Sequence, residues 1–355
     1  MNLPFNIDLK AATRLTRLGK LDEAVAAIRT ALGSGAADLK ASLAPDFVAP
    51  ARHLKPRIDL QPFSPQPSPQ PSPKPSRGAT FTEATYSGAT GQRAYKLYVP
   101  ACFDGQPMPL VVMLHGCTQS PDDFAAGTRM NALAEAHGFF VAYPAQTSSA
   151  NPSRCWNWFN AADQQRDKGE PALIAGLTRE IMARWPVDAK RVFIAGLSAG
   201  GAAAAVMGQV YPELYAGVGV HSGLACGAAR DFASAFRAMQ QGGQGAPATR
   251  IFKPTIVFHG DGDATVHPVN GGHVIDQARQ AVRLRTLTET GKAGGRSYTR
   301  VMEIDAGGTP RLEQWTIHGA GHAWSGGSQA GSYTDANGPD ASLEMIRFFL
   351  DLTRD

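Results

Sequence analysis

Short apolar segments that alternate with helical patterns constrain the fold of this chain more than any other feature of its sequence. Strands buried on both faces of a parallel sheet have such uninterrupted apolar character, whereas a half-exposed strand alternates. The buried-strand candidates are Leu110–Leu114, Phe139–Tyr143, Val192–Ala195, Ala216–Val220 and Thr255–Phe258. Tyr95–Val99 alternates, and Pro171–Trp185 has helical periodicity with proline in its first turn. The pattern predicts an α/β fold, a three-layer sandwich around a mainly parallel sheet.

A proline cluster separates this α/β region from the start of the chain. Seven prolines lie between Pro62 and Pro75, and they favour an extended, solvated spacer. The preceding segment has two helical patterns, which Asp8 and Asp22 are placed to cap. We therefore predict a helical hairpin and extension over 1–60, a Pro/Ser-rich linker over 61–78, and one α/β domain over 79–355.

Charge and hydropathy exclude several classes of protein. The net charge is +4, from 34 basic and 30 acidic residues, with no Lys/Arg block that would indicate a nucleic-acid partner. No apolar run approaches the roughly 20 residues that span a bilayer. The first thirty residues carry many charges and lack the apolar core of a secretory signal. We therefore expect a cytoplasmic protein without a membrane span, with secretion as the alternative.

The segment GLSAG at 196–200 places a serine between a buried strand and an Ala-rich helical stretch. This strand–turn–helix context is that of a nucleophile elbow, in which glycines let the strand and the helix approach the serine backbone. A serine hydroxyl is a weak nucleophile at neutral pH and needs a base and an orienting acid. We predict Ser198 as the nucleophile.

Carboxylates and histidines that follow later strands are the candidates for acid and base. Asp263 is predicted as the acid; Asp261 is interpreted as a turn residue, and Asp305 is a more distant alternative. His322, in a glycine-rich loop after the last predicted strand, is predicted as the base, and His318 in that strand is its competitor. The order serine, aspartate, histidine is that of an α/β-hydrolase.

Two backbone N–H groups are predicted to form the oxyanion hole. One belongs to Ala199 at the helix start, and the other to Cys117 in the loop after an early strand. The four cysteines include no CxxC pair, so no zinc site is indicated and reduced cysteines are the default expectation. A bridge between Cys117 and Cys155 is the alternative. No metal or organic cofactor is implied.

Five motifs resemble those of the polyhydroxybutyrate (PHB) depolymerase-type esterases, a family with feruloyl and acetylxylan esterase relatives. They are LHGCTQ at 114–119, CWNWF at 155–159, GLSAGG at 196–201, HGDGDATVHP at 259–268 and GHAWSGG at 321–327. The resemblance covers about residues 80–352. It implies a triad of Ser198, Asp263 and His322, with oxyanion donors near Cys117 and Ala199.

The resemblance also suggests residues that contact substrate. Trp156, Trp158 and Trp324 are candidates to line an acyl or polymer cleft, with packing in the core as the alternative. His115 is a further candidate, although an imidazole at a strand end can also hydrogen-bond the backbone.

The predicted activity is that of a serine esterase acting through an acyl-enzyme on PHB-type polyester or its oligomers. Feruloyl or acetylxylan esterase activity is the alternative. A hypothesis from a different functional class is that the protein is a binding module. The hydrolase domain is then a scaffold, and the helical hairpin binds a granule or a partner or forms a homo-oligomer contact. The chain ends about 33 residues after His322, so we expect no separate polymer-binding domain, and therefore soluble oligomers, amorphous granules or small esters as substrates.

Overall fold

The computed structural model describes residues 78–247, 251–279 and 283–352. The predicted hairpin and all but the last residue of the predicted linker lie outside these residues. Within them, no helix is long and apolar enough to cross a membrane.

The described residues form twelve strands and seven α-helices. The strands are β1 Thr80–Gly88, β2 Gly91–Val99, β3 Met108–Leu114, β4 Phe140–Pro144, β5 Val187–Leu197, β6 Gly217–His221, β7 Thr255–Gly260, β8 Arg285–Ala293, β9 Arg296–Ile304, β10 Pro310–Ile317, β11 Trp324–Ser325 and β12 Thr334–Asp335. The helices are α1 Pro121–Thr128, α2 Met130–His137, α3 Gly169–Arg184, α4 Ala199–Val210, α5 Phe232–Gln241, α6 Val269–Ala278 and α7 Ala341–Asp351.

Ten strands form one sheet in the order β1-β2-β4-β3-β5-β6-β7-β10-β9-β8. The six central strands, β4 to β10 in this order, are parallel. Antiparallel pairings add β2 and β1 at one end and β9 and β8 at the other. The predicted mainly parallel α/β sheet is therefore confirmed.

Successive residues of the central strands enter two different cores. Leu110 and Val112 of β3 pack with α3 and α4 on one face. Val111 and Met113 pack on the other face with residues of α7 such as Phe349. Burial on both faces explains why these strands are continuous apolar runs rather than alternating ones.

The carboxyl ends of the parallel strands bring the predicted site residues to one edge of the sheet. Residues 115–117 follow β3, residues 198–199 follow β5, and residues 261–263 follow β7. The loop at 318–322 follows β10, which is parallel to β7. In open α/β sheets this edge is where ligands bind.

Candidate active site

Ser198 lies in the tight turn between β5 and α4. Its φ of 56° and ψ of −121° place it in a conformation that non-glycine residues rarely adopt. The Ser198 N–H donates to the carbonyl of His221 at the end of β6, at 2.9 Å. The backbone is thus held in a strained turn by the neighbouring strand.

The two glycines that flank this serine are required by close backbone approach. A Cβ on Gly200 would lie 2.1 Å from the Leu114 carbonyl oxygen, and one on Gly196 would lie 2.4 Å from the Gly200 carbonyl carbon. Any side chain at either position would separate β3, β5 and α4. The steric argument made for the GLSAG motif is therefore confirmed.

Asp263 and His322 are in direct contact. The His322 Nδ1 lies 2.7 Å from the Asp263 Oδ2. The other carboxylate oxygen accepts the backbone N–H groups of Thr265 and Val266, both at 2.9 Å. Three hydrogen bonds thus fix the carboxylate and direct one oxygen at the imidazole.

A second histidine, His259, also faces Asp263. Its Nε2 lies 3.4 Å from Oδ2 and 2.9 Å from the Val266 carbonyl oxygen. Since both neighbours are acceptors, this nitrogen carries the proton. Burial alone would raise the pKa of Asp263, but hydrogen bonds from His259 and His322 outweigh burial and hold that pKa well below its ordinary value. Asp263 is therefore a carboxylate at neutral pH.

The competing residues make other contacts. Asp261 pairs with His318, with Oδ2 and Nδ1 2.8 Å apart, and its Oδ1 accepts the Gly319 N–H at 2.6 Å. Its carboxylate thus anchors the start of the loop that carries His322. Asp305 precedes β10 and ion-pairs with Arg311 near the start of that strand, at the opposite edge of the sheet.

His221 connects the serine turn with the His322 loop. Its carbonyl accepts the Ser198 N–H at 2.9 Å. Its Nε2 accepts the Ser325 N–H at 3.0 Å. Burial lowers the pKa of His221 to about 3, so the ring is neutral at physiological pH. His221 thus connects the turn of Ser198 to the loop of His322 by hydrogen bonds that do not depend on pH in the physiological range.

The predicted oxyanion donors lie at the same edge. Ala199 is the first residue of α4 and Cys117 follows β3. Within the described part of the chain, neither backbone N–H has a hydrogen-bond partner. Both groups are therefore available to a bound oxyanion.

The four candidate substrate-contacting side chains are buried. Trp156 is 0% exposed and donates Nε1–H to the His115 carbonyl at 3.1 Å. Trp324 stacks on His221 and donates to the Ser342 hydroxyl at 3.0 Å. Trp158 and His115 are buried as well. These contacts favour the packing alternative over a cleft-lining role.

Cys117 and Cys155 form a disulfide, with their Cα atoms 4.2 Å apart. The bridge that the sequence left as an alternative is therefore present. It joins the loop after β3, which carries one predicted oxyanion donor, to the segment after β4. Cys102 and Cys226 are free.

This bridge predicts the number of titratable thiols. The denatured, unreduced chain is expected to release two thiols per chain to Ellman's reagent, and the reduced chain four, because the sequence holds four cysteines. Cys102→Ser should lower the first number to one. Four thiols before reduction would show that the bridge is absent.

Sequence reasoning missed two further buried polar residues, Gln146 and Glu170. Neither belongs to one of the five motifs, and Glu170 precedes the predicted helix start at Pro171. The only available signal was a carboxylate directly before the apolar residues 171–177 at the start of the predicted helix. Among the described residues, no group of His, Cys, Asp or Glu side chains is arranged to hold a metal.

Glu170 gives the folded chain a pH-dependent stability. Burial raises its pKa from 4.5 to about 7, although hydrogen bonds from Asn157 and Gln146 oppose the shift. Between these values the folded chain keeps a proton that the unfolded chain has released. The free energy of unfolding should therefore fall as pH rises through this window, by at most about 3 kcal/mol.

Denaturant unfolding of the wild type and of Glu170→Gln at several pH values measures this effect. The stability of the wild type relative to the variant should decline between about pH 4.5 and pH 7. A difference that is constant or increases over this window would contradict the expectation.

Comparisons with known proteins identify relatives of the chain. The family model described as Esterase PHB depolymerase matches residues 93–301. Poly(3-hydroxyalkanoate) depolymerase C of Paucimonas lemoignei is 34% identical over an alignment of 227 residues that covers 60% of this chain and 54% of the relative. The chain thus spans about half the length of that depolymerase.

A fungal esterase and a solved structure are also similar. Feruloyl esterase B of Neurospora crassa is 26% identical over 255 residues, covering 66% of this chain and 85% of the relative. The structure of an acetyl xylan esterase from Aspergillus awamori matches with a TM-score of 0.61 at 20% identity, covering 77% of this chain and 99% of that one. At that identity the structural match supports the α/β-hydrolase fold.

Proposed function

Because this chain belongs to the Esterase PHB depolymerase family, we propose that it is a serine esterase that hydrolyses carboxylic esters through an acyl-enzyme. The observation that carries the proposal is the 2.7 Å contact between Asp263 and His322. The contact lies at the same sheet edge as the strained turn of Ser198.

The proposed mechanism assigns one role to each group. His322 takes the Ser198 hydroxyl proton as the oxygen attacks the ester carbonyl, and then gives it to the departing alcohol. The ionised Asp263 keeps the proton of the resting imidazole on Nδ1, which leaves Nε2 as the base. The N–H groups of Cys117 and Ala199 stabilise the tetrahedral oxyanion. Water activated by His322 then releases the acid.

The proposed substrate is a PHB-type polyester or its oligomers. The support is the similarity to the depolymerase from Paucimonas lemoignei, which exceeds that to the feruloyl esterase from Neurospora crassa. An ester of ferulic acid or of acetylated xylan is the alternative, supported by the second relative and by the fold.

A substrate panel tests these proposals. Purified protein is incubated with hydroxybutyrate oligomers, methyl ferulate, acetylated xylan and nitrophenyl esters, with Ser198→Ala as the blank. The highest kcat/KM on hydroxybutyrate oligomers is expected. The highest value on methyl ferulate or acetylated xylan would select the alternative, and no turnover of any ester would contradict the esterase proposal.

We further propose that the protein works in an oxidising compartment, which is the secreted alternative. The disulfide between Cys117 and Cys155 supports it, because reducing compartments keep thiols reduced. Contact of residues 1–60 with a granule, a partner or a second copy stays a prediction. The test is to delete residues 1–78 and to compare the granule binding and the oligomeric state of the shortened chain with those of the full chain.

A further inference from the structure

A buried polar cluster lies behind the loop that carries Cys117. We call it the Glu170 cluster, and it consists of Arg93 from β2, Gln146 after β4, Asn157, and Glu170 in the first turn of α3. Glu170 is only 6% exposed, and Gln146 and Arg93 are still less exposed. None of these residues has a role in the chemistry proposed above, although burying a carboxyl group among them costs free energy.

Glu170 holds the segment that follows Cys155. Its Oε2 accepts the backbone N–H of Asn157 at 2.7 Å, and its Oε1 accepts the side-chain amide of the same residue at 2.8 Å. Oε1 also accepts the side-chain amide of Gln146. Three N–H donors therefore converge on one carboxyl group.

Gln146 carries these contacts toward the oxyanion loop. Its side-chain amide also donates to the Cys155 carbonyl at 3.0 Å, and its Oε1 accepts from Arg93. Its backbone N–H donates to Nε2 of His115 at 3.1 Å. Gln146 thus links Glu170 with the histidine at the end of β3.

His115 in turn fixes a peptide plane. Because Nε2 accepts a hydrogen bond, Nδ1 carries the proton, which it donates to the Gly116 carbonyl at 2.7 Å. Burial lowers the pKa of His115 to about 4, so this neutral tautomer persists at physiological pH. In a trans peptide the C=O and N–H point in opposite directions. Fixing the Gly116 carbonyl therefore fixes the direction of the Cys117 N–H.

The segment held by Glu170 also reaches the loop by two other routes. Cys155 is bonded to Cys117 through the disulfide. The indole of Trp156 donates to the His115 carbonyl at 3.1 Å. A shift of residues 155–157 would therefore move the loop covalently and through hydrogen bonds.

We propose that Glu170 is a positioning residue for the oxyanion hole, which acts through Gln146, His115 and residues 155–157 to aim the Cys117 N–H at the reacting carbonyl. This inference rests on the proposed function, in which that N–H binds the oxyanion. It predicts that a substitution of Glu170 weakens transition-state stabilisation and so lowers kcat, while substrate binding is little changed.

Glu170→Gln tests the proposal with almost no change in shape. An amide has one acceptor oxygen, so its NH2 group must face a donor of Asn157 or Gln146. At about pH 8, above the raised pKa of Glu170, the wild-type carboxyl is ionised and accepts all three donors. At that pH we expect the kcat per titrated active site on a nitrophenyl ester to fall about 10- to 100-fold with KM within about twofold. The inhibition constant of butaneboronic acid, which forms a tetrahedral adduct with serine, should rise in parallel.

Glu180→Gln is the matched control. Glu180 is half-buried on the same helix and pairs with Arg184 at 3.5 Å, away from the cluster. Its substitution should leave kcat, KM and the boronic acid constant unchanged. Because each kcat is expressed per titrated site, a variant that is merely less stable would not reproduce the expected pattern.

A second variant, His115→Phe, keeps an aromatic ring but removes both the Nδ1–H donor to Gly116 and the Nε2 acceptor of the Gln146 N–H, and it should show the same pattern. It decides the matter if Glu170→Gln does not fold. The proposal is overturned by a wild-type kcat per site in either folded variant, or by a rise in KM at an unchanged boronic acid constant. Absence of ester turnover by the wild type in the same assay would instead refute the proposed function.

Discussion

Replacement of Ser198 by alanine is expected to lower the kcat for ester hydrolysis by about 10⁵-fold or more, because the proposed acyl-enzyme forms on the hydroxyl that this change removes. The protein should keep its fold. The left-handed φ of 56° strains serine and alanine alike. The midpoint of thermal unfolding should therefore change by only a few degrees.

Ser222→Ala is the matched control for this experiment. Ser222 also has a left-handed φ, of 49°, and it directly follows the neighbouring strand β6. Its replacement should leave most of the activity. Initial rates and circular dichroism of both variants decide the matter. A folded Ser198→Ala protein with substantial activity would contradict the assignment of the nucleophile.

Replacement of Asp263 by asparagine is expected to lower kcat by about 10³- to 10⁴-fold with little change in KM. The amide oxygen can still accept the N–H groups of Thr265 and Val266 at 2.9 Å. The NH2 group would then face His322 Nδ1 and favour the tautomer that cannot act as a base. The loss should therefore fall on catalysis.

Asp261→Asn provides the control for this substitution. It alters a separate Asp–His contact, between Asp261 and His318, which lies at the same edge but is half-exposed. Its kcat should stay within about tenfold of the wild type. Steady-state kinetics of both variants make the comparison. A large loss in Asp261→Asn with normal kinetics in Asp263→Asn would exchange the two assignments.

The central strands were predictable because burial on both faces of the sheet requires a continuous apolar run in the local sequence. A strand such as β3 can only be apolar throughout when helices cover both faces of the sheet. Outer strands such as β8 have no such apolar run. In β8 most side chains are exposed polar groups, and the strand is formed by its pairing with β9. That pairing is tertiary and leaves no periodicity in the sequence.

The site could be predicted where each residue follows its own strand. Because parallel strands end at one edge, Ser198, Asp263 and His322 could be expected there from their local context. The second histidine on Asp263 and the contacts of Glu170 could not, since they depend on side chains that meet only after folding. For the same reason the sequence left open whether Trp324 lines a cleft or packs in the core.

Covalent labelling with a fluorophosphonate, followed by mass spectrometry of the peptides, tests the central claim most directly. The reagent reacts with a serine that a neighbouring base activates, and its adduct resembles the tetrahedral intermediate. The proposed mechanism predicts one adduct per chain, on Ser198, and a much slower reaction in His322→Ala. An adduct on a different residue, or ester turnover that persists in the fully labelled protein, would contradict it.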